Sequence, residues 1–151
     1  MKTRIVFIVG LVMLMISCVS TKSTLQNVDV AAPNLVVTKD NVFAITDFAT
    51  DEKYGYDKDF PINIFYRNTA NDFINQQRFF NALTGPNGEK IFYEKVGVCC
   101  PFPSKNSFSG AALLDIYEVK WVGQKTAVTL YVNIHEKSKL MIPKGFKLKT
   151  F

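Results

Sequence analysis

The chain of 151 residues is 48% hydrophobic, 21% charged and 13% aromatic, with 18 Lys plus Arg against 13 Asp plus Glu, a single His and three Cys. That length fits one ordinary domain, and the apolar fraction excludes a disordered tail. It falls well short of the roughly 250 residues of a (β/α)8 barrel, and with no block of five to eight Lys/Arg a nucleic-acid partner is not expected.

The N-terminus reads as a targeting segment. Met1-Lys2-Thr3-Arg4 is a short basic head, and Ile5 to Ile16 is an almost unbroken apolar run of 12 residues. A permanent membrane-spanning helix takes about 20, so the run has the form of a secretory signal. Met15-Ile16-Ser17-Cys18 then resembles the lipobox of bacterial lipoproteins, with Met15 where Leu is usual. The resemblance implies cleavage before Cys18, diacylation of its thiol and acylation of the freed amine; a plain signal peptide cut elsewhere is the alternative. Acyl chains anchor because each buried CH₂ contributes about 0.8 kcal/mol. Removing 17 of 151 residues leaves 134, and with Lys2 and Arg4 gone the balance is 16 basic to 13 acidic, a formal +3. Val19 follows the Cys where an Asp would be a retention signal, and no acidic run comes next. Both features resemble lipoproteins of the periplasmic leaflet of the outer membrane.

Three units are therefore expected: a signal peptide over 1–17, acylated Cys18 with a flexible tether over 18–33, and one α+β domain over 34–151. Val19 to Pro33 is small and polar without periodicity, which suits a tether. Leu35 to Thr38 and Val42 to Ala49 read as short strands. Asp51 to Pro61, with its charges, Gly55 and Pro61, reads as a loop, and Ile62 to Tyr66 as a brief strand. Thr69-Ala70-Asn71-Asp72 fits a capping box, after which Phe73, Phe79, Phe80 and Leu83 fall within roughly 120° of a helical wheel. Gly85 is placed to close that helix in the left-handed conformation, Pro86 to stop it, and Asn87-Gly88 to turn the chain.

Lys90 to Val98 is a strand candidate, and Cys99 to Gly110 reads as irregular. Leu113 to Trp121 and Thr126 to His135 carry the strongest β pattern. In the second, Val128, Leu130, Val132 and Ile134 alternate with Thr129, Tyr131, Asn133 and His135. Leu140 to Phe151 adds one short strand. Strands, then one helix, then more strands predict an antiparallel sheet with one main amphipathic helix packed on it.

Three places have the residue types for chemistry. With Cys18 lipidated, Cys99-Cys100 is an even pair in an oxidising compartment. Neighbouring Cα atoms lie about 3.8 Å apart, below the usual disulfide range, so a vicinal bridge requires a distorted or cis peptide. Two buried or free thiols are the equal alternative, and a redox-labile bridge is one possible use. Tyr54 and Tyr56, either side of Gly55, are a possible stacking surface for a sugar or peptide; the plainer reading has one of them covering the core edge. Asp115, amid apolar strand residues, needs a partner, and a structural hydrogen bond to Tyr117 or a Lys is favoured over a general base. His135 completes neither a zinc site nor a supported nucleophile pair. Gly-Lys-Ser/Thr, Gly-x-Ser-x-Gly, His-Glu-x-x-His and Cys-x-x-Cys motifs are absent, so no catalytic residue, metal site or cofactor is expected.

Tyr54-Gly55-Tyr56 with Pro61-Ile62, Gly85-Pro86-Asn87-Gly88, Gly97-Val98-Cys99-Cys100-Pro101-Phe102 and Leu113-Leu114-Asp115-Ile116-Tyr117-Glu118-Val119 together resemble a group of small lipoproteins of the Bacteroidota. The likeness runs from about Tyr54 to Phe146 and carries over no functional residue. Some members of that group bear the name 2-dehydro-3-deoxyphosphooctonate aldolase; an enzyme of that name resembles a full barrel with a phosphate site, which 134 residues cannot build. The expectation is a non-catalytic envelope module held to the membrane by its lipid, with an envelope protein or polymer as partner. A redox module using Cys99-Cys100, or a small enzyme, are the alternatives.

Overall fold

In chain order the structured elements are β1 (Ile62–Asn63), α1 (Asp72–Phe80), β2 (Leu83–Thr84), β3 (Ile91–Pro103), β4 (Ala111–Trp121), β5 (Val128–Asn133) and β6 (Lys147–Leu148). They come from a computed structural model that describes residues 22–65 and 71–150. The signal segment, Cys18, Tyr66, Thr69 and Phe151 lie outside the described residues. The described chain is mostly strand, with one short helix and a largely antiparallel sheet in the order β1-β5-β4-β3. The β3–β4 and β4–β5 pairs are antiparallel, β1 joins β5 in parallel, and β2 and β6 form a separate antiparallel ribbon.

The β4–β5 hairpin follows its alternation. Val128, Leu130 and Val132 sit opposite Val119, Tyr117 and Asp115 on one face, and Thr129 faces Glu118 on the other. Gly123, at φ +87°, makes the turn between them. β3 is longer than its sequence suggests. It runs through Cys99 and Cys100 to Pro103, because register shifts at Lys95/Gly97 and Cys99/Phe102 absorb the irregular residues without ending the ladder. The strand ends at Pro103, and the Ser104 amide still donates to the Gly110 carbonyl at 3.0 Å.

Helix α1 is shorter than expected at both ends. Asn71 is its cap, accepting a hydrogen bond from the Phe73 amide at 3.1 Å. The helix stops at Phe80, and Leu83 lies in β2, paired with Leu148. Gly85 does not take a left-handed conformation; Gly88 does, at φ +90°. The ribbon competes successfully for the last turn because Leu83, in an extended chain, still reaches the core. Phe79 and Phe80 are fully buried while Phe73 is half exposed, so two of the four residues in the expected stripe carry the packing from the helix. Phe80 stacks on Tyr93 at 4.6 Å and leans on Tyr117 at 4.7 Å, joining the helix to β3 and β4. Such aromatic pairs each contribute about 0.5–1.5 kcal/mol beyond the area they bury.

Two regions depart from the sequence reading. Leu35 to Thr38 and Val42 to Ala49 form isolated bridges, Val37 with Phe43 and Phe48 with Ile142, instead of strands. Val42, Phe43, Ile45 and Ala49 still enter the core. Apolar content placed them inside, but each finds too short a partner for a ladder. Second, packing extends back into the segment read as a tether, at least to Leu25. Leu25 joins Phe102, Ala112 and Leu114 in a satellite cluster. Asn27 donates to the Pro61 carbonyl at 2.6 Å, and its side-chain oxygen accepts from Asn63 at 3.1 Å. Asn63 in turn accepts from Asn133 at 2.7 Å. Asn63 and Asn133 are fully buried, so this row of amides supplies hydrogen bonds that burial would otherwise forfeit.

Candidate functional site

The β3–β4 hairpin has two unlike ends. At one, Ile91 pairs with Trp121; at the other, Pro103 pairs with Ala111. Ten residues of β4 separate Trp121 from Ala111, about 33 Å at strand rise. The cysteine pair occupies the second end and an open cleft the first.

Cys99 and Cys100 are joined in a disulfide with Cα atoms 3.7 Å apart. No cis peptide occurs among the described residues; the accommodation is a left-handed Cys100, at φ +60°. Both residues are half-buried against Leu25, Phe102 and Leu114. Nearby, a shallow depression of about 440 Å³ is lined by Pro101, Ser107, Ser109, Leu113, Asp115 and His135, among others. It holds Ser, His and Asp, yet no hydrogen bond among the described residues links them. Both serine hydroxyls donate to the Ala111 carbonyl, Ser109 at 3.0 Å. Asp115 is engaged by Lys95 at 2.6 Å and by the Gln76 amide. The groups of a hydrolytic triad are neighbours without its connections.

Asp115 therefore has the structural partners its surroundings require. Gln76 donates to it and accepts from the Tyr117 hydroxyl, which makes a buried bridge between α1 and β4. Burial, with the nearby Asp115 charge adding to it, pushes Tyr117 ionisation well above the ordinary phenol range. This cluster ties helix to sheet.

The two loop tyrosines are not a stacking surface. Tyr54 is fully buried, edge-on to Phe60, and its hydroxyl accepts from the Met141 amide at 3.1 Å. Tyr56 is half-buried and donates to the Lys144 carbonyl. Gly55 between them, at φ +82°, packs against Ile62 so closely that the loop turns inward.

The first end of the hairpin carries a feature that sequence reasoning missed. A cleft of about 580 Å³ opens between the β2–β6 ribbon, the C-terminal end of α1 and the start of β3. Its floor is Phe80, Ile91 and Tyr93; Asn81, Thr84 and Asn87 add hydrogen-bonding groups, and Lys90, Lys147 and Lys149 add charge. No lining residue is Asp or Glu. Glu89 is adjacent; its carboxylate turns back onto its own backbone N–H and onto the backbone and side chain of Asn87, and those donors, with a weaker attraction from Lys147, hold its pKa below the usual carboxylate value. The sequence signal was the spacing of Lys147 and Lys149, two apart at the end of a strand and hence on one face. Lys90 reaches them only through the fold. Among the described residues, no three His, Cys, Asp or Glu side chains converge to hold a metal ion.

Comparison of the chain with protein-family models, with curated proteins and with solved structures finds no match.

Proposed function

We propose that the protein is an envelope lipoprotein, held by acyl chains on Cys18 at the periplasmic leaflet of the outer membrane, whose sheet domain binds an anionic envelope polymer or an acidic segment of an envelope protein. The observation that carries this reading is the cleft at the Ile91–Trp121 end: three lysines around an aromatic and amide floor, with no acidic residue in the lining. Carboxylate or phosphate groups along a chain pair with the lysines, while Tyr93 and Phe80 supply apolar contact for the backbone of that chain.

The anchor and the cleft are tested apart. Metabolic palmitate labelling and an intact mass of membrane-extracted protein report acylation of Cys18; an unmodified Cys18 overturns the anchor. For the cleft, the acylated protein in detergent is titrated with polygalacturonate, with neutral dextran as reference. Binding of the polyanion alone, weakened about tenfold (about 1.4 kcal/mol) by Lys90→Glu with Lys147→Glu and weakened again by salt, supports the reading. Equal binding of both polymers, or insensitivity to the charge reversals, overturns it.

The closed Cys99–Cys100 bridge supports a second reading, a redox-responsive segment. A small dithiol would break the S–S bond through a mixed disulfide, leaving two thiols here and its own disulfide as product. Loss of binding on reduction would favour this reading; unchanged binding would end it.

A further inference from the structure

The geometry points to the far tip of the β3–β4 hairpin as a membrane-contacting surface, with Phe108 seated in the lipid interface beside the acyl anchor. The inference rests on the proposed acylation of Cys18 and adds which face of the domain meets the bilayer.

Three observations converge on it. The first is chain length. Leu25 is packed on the domain seven residues after Cys18, and seven residues span at most about 25 Å even when fully extended. A domain of about 130 residues has a diameter in the range of 35–40 Å, so an anchored copy cannot turn freely above its lipid. The second is position. Leu25 packs on Phe102 and Ala112, one pair short of the final Pro103–Ala111 pair at the hairpin tip, so the chain enters the domain beside that tip. The third is chemistry. Phe108 is fully exposed, and Val98, Pro101 and Leu113 are exposed behind it. From Val96 to Leu114 the only charged residue is Lys105, which is exposed. An aromatic tip whose loop, Ser104 to Gly110, carries one cation and no carboxylate suits a lipid surface: the ring enters 5–10 Å, at roughly the headgroup boundary, and the ammonium stays with the headgroup phosphates.

The opposite end of the hairpin then faces away from the membrane, with the lysine cleft about 33 Å further along β4. The anchor sets the distance of the domain, and the tip sets its orientation.

Trp121 is the only tryptophan and lies at the distant end, which provides an internal control. Full-length acylated protein, wild type and Phe108→Trp, is reconstituted in vesicles of phosphatidylethanolamine and phosphatidylglycerol, with and without brominated acyl chains. The exposed tip accepts the substitution without repacking. In Phe108→Trp the added emission should be blue-shifted and quenched by bromine, at about three times the fraction seen for Trp121 in the wild type, as expected for a ring at interfacial depth. An intact mass lacking acyl chains would show instead that the anchor reading has failed. With acylation confirmed, added emission in Phe108→Trp that bromine leaves unquenched overturns the membrane contact alone. A blue shift without bromine quenching, growing with protein concentration, overturns it in favour of a second copy at the tip.

Discussion

Truncating Leu25 to Ala should destabilise the domain as a core substitution does, although the residue lies in a stretch whose composition is that of a linker. Leu25 is 9% exposed and packs on Phe102, Ala112 and Leu114. Leu→Ala in a core costs about 2–5 kcal/mol, and a satellite cluster near the surface belongs at the low end, about 2–3 kcal/mol. For a domain of this size each kcal/mol moves the midpoint by about 3–6 °C, so the melting temperature should fall by about 6–18 °C. Asn27→Ala should cost about 1–2 kcal/mol, because the buried Asn63 amide and the Pro61 carbonyl lose a partner while Asn63 keeps the Asn27 backbone carbonyl at 3.3 Å. Val30, 80% exposed in the same segment, is the control, and Val30→Ala should stay within about 0.5 kcal/mol. The assay is thermal unfolding of the purified protein followed by far-ultraviolet circular dichroism. If Leu25→Ala and Asn27→Ala both melt with Val30→Ala, the segment rests on the domain without belonging to it, and the orientation argument loses its fixed exit point.

Gly55→Ala should cost about 2–4 kcal/mol, since its Cβ would lie 2.9 Å from two Ile62 carbons at a φ of +82°, whereas Gly123→Ala, left-handed but in open space, should cost only about 1–2; equal losses in urea unfolding would refute the steric part. Tyr54 and Tyr117 stay neutral in the fold well above the ordinary phenol range, burial being the main cause in each. Below about pH 10 folded and unfolded states are equally protonated at these sites; above it the unfolded chain binds fewer protons, so stability falls with rising pH by about 1.4 kcal/mol per unit for each tyrosine. Urea midpoints measured from pH 8 to 11.5 should decline only past pH 10, and a flat profile would contradict the burial. With Cys18 acylated as proposed and Cys99–Cys100 bridged, thiol counting on denatured, membrane-extracted protein should find no free thiol before reductant and two after it; a free thiol at the outset would contradict one or the other.

The β4–β5 hairpin was legible because alternation is local: a strand wet on one side must place Val128, Leu130 and Val132 together whatever else the chain does. The cap of α1 was read two residues early, at Thr69, because several small polar residues there can accept from a helix N-terminus and only packing chooses among them. The candidate sites fared unevenly. Asp115 was recognised as needing a partner, and Lys95 is one, twenty residues earlier on the neighbouring strand. For the tyrosines the plainer reading fits, since Tyr54 lies in the core and Gly55, left-handed, lets the turn fold inward. Of the lysine cleft only the Lys147/Lys149 spacing was legible: Lys90 and Lys147 stand 57 positions apart, and nothing in either neighbourhood names the other.

From the order of residues alone came what short-range stereochemistry can dictate: an antiparallel sheet with one helix, and the alternating faces of its hairpin. The tertiary structure decided what depends on partners distant in the chain. It drew residues 25–32 out of the linker and onto the sheet through Leu25 and the asparagine row, carried β3 through the cysteine pair, ended the helix early in favour of the ribbon, and set three lysines around one aromatic floor. Burial and hydrogen-bond completion are properties of the assembled chain, so a residue such as Asn27, polar and ordinary in sequence, acquires its role only when Asn63 and Pro61 arrive beside it.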